Sequence, residues 1–198
     1  LTTPTVALAT SDPADTEPAS QSLTAGTRNF SVTNITAGTR TVTPSSAGYG
    51  ANASTNFTVI HNAATQMVVT SQPAASIAAG AEIAPVIEIR DVYGNLVDTG
   101  VDATATVTMS LISGTGALAG TVTKTAVGGV AGFTGLGAYI DLIGTKTIRL
   151  TKASTVTGGG TAALTVNTNS FLITHGPANT VAWTTHPASP TGAGQTFN

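Results

Sequence analysis

Through the middle of the chain, apolar and polar residues take strict turns. Ala103, Ala105, Val107, Met109 and Leu111 alternate with Thr104, Thr106, Thr108 and Ser110, the period of a half-buried strand with threonine toward water. Ile87 and Ile89 alternate in the same way with Glu88 and Arg90, and Ile148 and Leu150 with Thr147 and Arg149. The pattern predicts strands at roughly 66–71, 83–91, 103–112, 121–127, 130–136, 144–151 and 169–175. No window of useful length carries the 3.6-residue helical period.

The connections have turn chemistry. Tyr93-Gly94-Asn95-Leu96, Ser113-Gly114-Thr115-Gly116 and Gly128-Gly129 supply residues that tolerate positive φ, and Gly158–Gly160 predicts a flexible loop before the last strand. Short strands at this spacing predict an all-β fold, an antiparallel sandwich. Residues 1–63 are also β in character: Asn29–Ile35, Gly38–Pro44 and Asn56–His61 read as strands, Ala47-Gly48-Tyr49-Gly50 as a turn, and Asp12–Pro18 as an irregular loop.

The chain repeats itself over the length of a whole domain. QMVVTSQP at Gln66–Pro73 matches TVAWTTHP at Thr180–Pro187, 114 positions on. The same offset pairs Ala64 with Ala178, Gly80 with Gly194, and Phe57-Thr-Val-Ile-His61 with Phe171-Leu-Ile-Thr-His175. Such a period is a domain in an array, too long for a solenoid rung. Three parts follow: 1–63, a small or partial β-sandwich domain; 64–176, a complete one; and 177–198, the first strand or strands of a further, truncated repeat.

Composition narrows the function classes. Charged residues are 8% of the 198, against about 25% in an ordinary soluble domain, and Thr, Ser, Gly and Asn take their place. Aromatics at 5% argue for thin sheets packed through small side chains over a deep ligand cavity. A net charge of −2, with seven scattered Lys and Arg, supplies no electrostatic footprint for nucleic acid or an anionic membrane. No apolar stretch reaches transmembrane length and no signal peptide opens the chain. Leu1 is not an initiator Met, so an excerpt of a longer exported protein is expected. The lack of cysteine removes disulfides, thiolate metal sites and a Cys nucleophile, and fits a secreted bacterial chain.

Candidate chemistry is sparse. His61 and His175 occupy equivalent repeat positions at strand ends beside linkers, where a linker contact is the expected role, and His186 precedes Pro187. No Ser sits in a nucleophile elbow and no spacing suits zinc, so no catalytic residues and no enzyme activity are expected. Asp91, Asn95, Asp98 and Asp102 cluster around one turn and offer oxygen ligands for calcium, although Asp and Asn are also ordinary turn residues. Lys124, Lys146 and Lys152 are expected on exposed strand faces; a Lys–Asn isopeptide crosslink would require a buried lysine and a buried acid beside it. Thr41/Thr43 and Thr106/Thr108 fit solvent faces of strands, and Trp183, aligned with Val69, a core strand position.

The run from Val68 through Ser71-Gln72-Pro73 and Gly80 to Val86-Ile-Glu-Ile-Arg-Asp-Val-Tyr-Gly-Asn95, continued by Ser113–Gly120 and Gly132-Phe133-Thr134, resembles the bacterial immunoglobulin-like repeats of invasin- and intimin-type adhesins. Asn29–Pro44 followed by Gly48-Tyr49 resembles the second half of a prealbumin-like surface domain of the collagen-adhesin B type. Both resemblances imply stalk modules of an extracellular, cell-surface protein. The expected partners are neighbouring domains of the same chain, with edge strands able to pair chains into a homo-oligomer or filament. The second expectation is an adhesion module that binds a glycan or protein with loops at one end of the sandwich.

Overall fold

The computed structural model describes residues 3–178, 180–182 and 193. Regular structure among them is strand, apart from two single turns of 3₁₀-helix; no helix of the described residues is long and apolar enough to cross a membrane.

Residues 64–176 form two sheets around one core. The larger contains β7 (Ser76–Ala78), β9 (Thr106–Ser113), β10 (Thr123–Thr125), β12 (Gly144–Lys152), β13 (Leu164–Asn167) and β14 (Phe171–Thr174), in the order β10-β9-β12-β14-β7 with β13 also on β12. The smaller is β11-β8-β6, with β6 at Gln66–Ser71, β8 at Val86–Arg90 and β11 at Val130–Gly132. Ile87 and Ile89 from the smaller sheet meet Val107, Met109, Ile148, Leu150, Phe171 and Ile173 from the larger, with Phe133 fully enclosed between connections. The alternation read from the sequence is the alternation of burial: in β8, Ile87 and Ile89 are buried while Glu88 and Arg90 flank them and pair with each other at 2.6 Å.

One pair departs from the antiparallel expectation. β14 and β7 run parallel, Leu172 beside Ser76 and Thr174 beside Ala78. The cause lies at Gln72-Pro73, where the strand begun by β6 stops because proline has no N–H for the ladder. The chain continues in the same sense but crosses to the other sheet, where it lies parallel to the last strand. Gly120 (φ +82) shows a glycine held by packing, since a Cβ there would collide with the Gly137 carbonyl oxygen.

Residues 3–63 are built differently. β1 (Thr5–Thr10) pairs antiparallel with β2 (Gln21–Ser22) and β4 (Val42–Ser45), and β3 (Gly38–Arg40) pairs with β5 (Phe57–Val59). The expected strand at Asn29–Ile35 is absent; Thr33 there makes one bridge, to Thr16. Arg40 ties the segment's loops together with an ion pair to Asp12 at 2.9 Å and bonds to the Thr36 and Ala37 carbonyls. No residue of 3–63 reaches core-level burial, and the core begins at Ala64. A segment this short, without a dry interior, is held by its ladders and its neighbour. Residues 64–176 expressed alone are therefore expected to unfold cooperatively, and residues 1–63 alone to give the collapsed amide dispersion of an unfolded chain; a dispersed spectrum for 1–63 would overturn this.

Of 177–198, the described positions carry no strand, and Trp183 and His186 lie outside the described residues.

Candidate functional site

The turn that follows β8 joins the two parts of the chain. Asp91 is fully buried, and each of its carboxylate oxygens accepts two hydrogen bonds. Oδ1 takes the backbone N–H of Tyr93 and of Asn95, both at 2.9 Å. Oδ2 takes the Asn62 N–H at 2.8 Å and the Asn95 side-chain amide at 2.9 Å. Gly94 has φ +87, which lets the turn close so that these donors converge. Asn95 reaches onward: its Nδ2 donates to the Ile35 carbonyl and its Oδ1 accepts from Ala37 N–H, both at 2.9 Å. Gln66 completes the latch by donating to the Asp91 carbonyl at 2.6 Å. Burial pushes the Asp91 carboxyl upward, but donors from Asn62, Asn95 and Tyr93 outweigh it and hold the group below the usual carboxylate range.

His61 lies at the same junction. Its Nδ1 lies 2.7 Å from the Asn62 carbonyl and its Nε2 2.9 Å from Thr99 Oγ1. A carbonyl only accepts, so Nδ1 carries the proton and, in the neutral ring, Nε2 accepts from the Thr99 hydroxyl. Asp98 Oδ1 is 3.7 Å from Nε2, on a largely exposed side chain. The linker-contact role expected of His61 is the geometry found; its repeat counterpart His175 is exposed.

A second cluster lies at the C-terminal end of β12. Lys152 and Asp102 are both buried, with Nζ and Oδ1 2.6 Å apart. Lys152 Nζ also donates to the Ala153, Thr161 and Ala162 carbonyls and to the Thr155 and Thr161 hydroxyls, at 3.2–3.4 Å. Asp102 Oδ1 accepts in turn from the Thr155 hydroxyl, which is in very short contact, and from Thr161 N–H and Oγ1. Burial raises the pKa of Asp102, while the Lys152, Thr155 and Thr161 donors lower it further than burial raises it, so the carboxyl lies below its ordinary range. The Gly158–Gly160 stretch lies against this cage: Val156–Gly158 is a 3₁₀ turn, and a Cβ on Gly160 would strike Thr155 Oγ1.

Two lysines are therefore corrected from exposed strand faces to the interior. Lys146 and Lys152 occupy the inward parity of β12 with Ile148 and Leu150. Lys146 has no acid beside it and donates to the Thr115 and Ile143 carbonyls at 2.6 and 3.1 Å, and Lys124 is half-buried without an acidic contact among the described residues. Lys152 alone of the three has a buried acid in reach, and the two meet as an ion pair.

The four residues grouped as calcium ligands fall into three separate arrangements: Asp91 with Asn95, Asp98 near His61, and Asp102 with Lys152. N–H donors point at both oxygens of Asp91 and an ammonium at Asp102, the reverse of a shell that would receive a cation. No group of three or more His, Asp or Glu that could hold a metal occurs among the described residues.

Fold and site together define an all-β chain in which a two-sheet unit is latched to a strand-rich segment lacking its own core. No family model matches the chain, and no curated protein matches it. Among solved structures it is similar to surface layer protein SbsC, domains 4–9, with 19% identity over 88% of this chain and a TM-score of 0.36. The chain spans 23% of that chain's length, and a likeness at this TM-score carries no argument about fold or activity.

Proposed function

We propose that this chain belongs to the structural, non-catalytic repeat region of a long extracellular bacterial surface protein. In this reading 64–176 is one immunoglobulin-like sandwich of the invasin/intimin kind, 1–63 is a prealbumin-like stalk segment, and 177–198 opens a further repeat. The observation that carries the proposal is the Asp91–Asn95 latch. A connection between modules is mobile by default unless specific contacts hold it; here one carboxylate and one carboxamide bind the linker at Asn62 and the preceding segment at Ile35 and Ala37. A stalk that must hold a distant tip away from a cell needs such stiff joints. His175, at the repeat position of His61 and exposed, is placed to make the same joint with a following unit.

Small-angle scattering on the whole chain tests this. The wild type is expected to scatter as one stiff body whose profile does not change with a calcium chelator. Asn95→Ala, which removes three bonds while leaving the core untouched, is expected to raise the radius of gyration and broaden the distance distribution. A wild type already as flexible as the variant would sink the reading.

A further inference from the structure

The latch leaves a cleft beside it, about 330 Å³ in volume, between β5 of the first segment and the Asp91 turn of the second. We propose that this cleft binds a single neutral sugar ring. Its size lies at the lower end of small-molecule sites, about 300–1,000 Å³, and both parts of the chain contribute walls.

Three observations select the ligand. Tyr93 lines the cleft with a half-exposed ring, and its backbone is held at the cleft by the N–H bond to Asp91. An aromatic face with a polar rim suits the C–H face of a pyranose. Asn34 lines the cleft too, and its Oδ1 is enclosed with no hydrogen-bond partner. A buried acceptor left unpaired is uncommon and costly. A sugar hydroxyl in the cleft would supply the partner this carboxamide lacks among the described residues. The third observation is charge. Asp91 supplies the cleft's one ionised lining group, and its oxygens are saturated by N–H donors. Its negative potential disfavours acidic sugars, and no Lys or Arg lines the cleft to receive them. The site is independent of the stalk reading; a latched joint serves either way.

The test is ligand-observed NMR on the whole chain, with methyl β-galactoside, methyl α-glucoside and N-acetylglucosamine as neutral probes and N-acetylneuraminic acid as the acidic one. At least one neutral probe is expected to bind in the millimolar range usual for so small a ligand, and the acidic one not to bind. Tyr93→Ala is expected to weaken binding about tenfold, whereas Tyr93→Phe keeps the stacking face and most of the affinity. Asn34→Ala, which removes no side-chain bond among the described residues, is expected to weaken it by a similar factor while unfolding stays unchanged. The proposal is overturned if none of the neutral probes binds, if N-acetylneuraminic acid binds as well as they do, or if binding survives both Tyr93→Ala and Asn34→Ala.

Discussion

Asp102→Ala is expected to destabilise the 64–176 unit by about 3–5 kcal/mol, the range for breaking a buried ion pair from one side. Lys152 has no exposed surface and sits 2.6 Å from the carboxylate, so the substitution strands an ammonium in the interior. The surrounding carbonyls and threonine hydroxyls still accept from Nζ, which places the loss toward the lower end of the range. Urea unfolding should show the midpoint fall with little change in slope. Asp102→Ala combined with Lys152→Met should recover much of the loss, because no unpaired charge remains. A single variant within about 0.5 kcal/mol of wild type, as for an ordinary surface change, would mean that the pair is solvated.

Asp91→Ala is the second large effect, and it acts on the joint as well as the fold. Four N–H donors lose their acceptor at a fully buried position. With about 1–3 kcal/mol for each buried group left unpaired, and some relief as water enters, a net loss of about 3 kcal/mol is expected. Hydrogen exchange should accelerate locally, foremost at the Asn62 amide, which bonds Asp91 directly, and at Ala37, whose acceptor Asn95 is itself positioned by Asp91. Unchanged exchange at both amides would refute the latch.

The same two carboxylates predict how acid acts. Both have folded-state pKa values below the ordinary one, so the stability they contribute is complete above the unfolded carboxylate range near 4 and is lost as pH falls through the lowered folded values. The unfolding midpoint should hardly change between neutrality and about pH 5, then drop below about pH 4. Asp91→Ala should flatten that drop.

β6, β8, β9, β12 and β14 could be read before any fold was known and lie within or close to their expected ranges. β1, β2, β7 and β13 escaped. β7 is three residues and its partner is parallel and almost a hundred positions away, so no local period marks it. β13 alternates Leu164 and Val166 with Thr165 and Asn167, a legible signal hidden by the glycines before it. Lys146 and Lys152 were legible too, because they share the parity of Ile148 and Leu150; the charge argued against burial, and the period was right.

What local order along the chain could settle was the class of structure: period-2 alternation, glycine turns and the 114-residue repeat are each properties of a few neighbouring residues or of two copies compared. Partnership was beyond it. Asp91, Asn95, Asp98 and Asp102 stand close together in the chain and looked like one ligand set, yet a turn and a strand end aim them in three directions. Each then takes its partner from far along the chain: Asn62 and Ile35 for the latch, His61 beside Asp98, Lys152 for Asp102. A carboxylate's role follows from the donors that surround it in three dimensions, and those donors are brought together by the packing of the two sheets and the docking of the first segment.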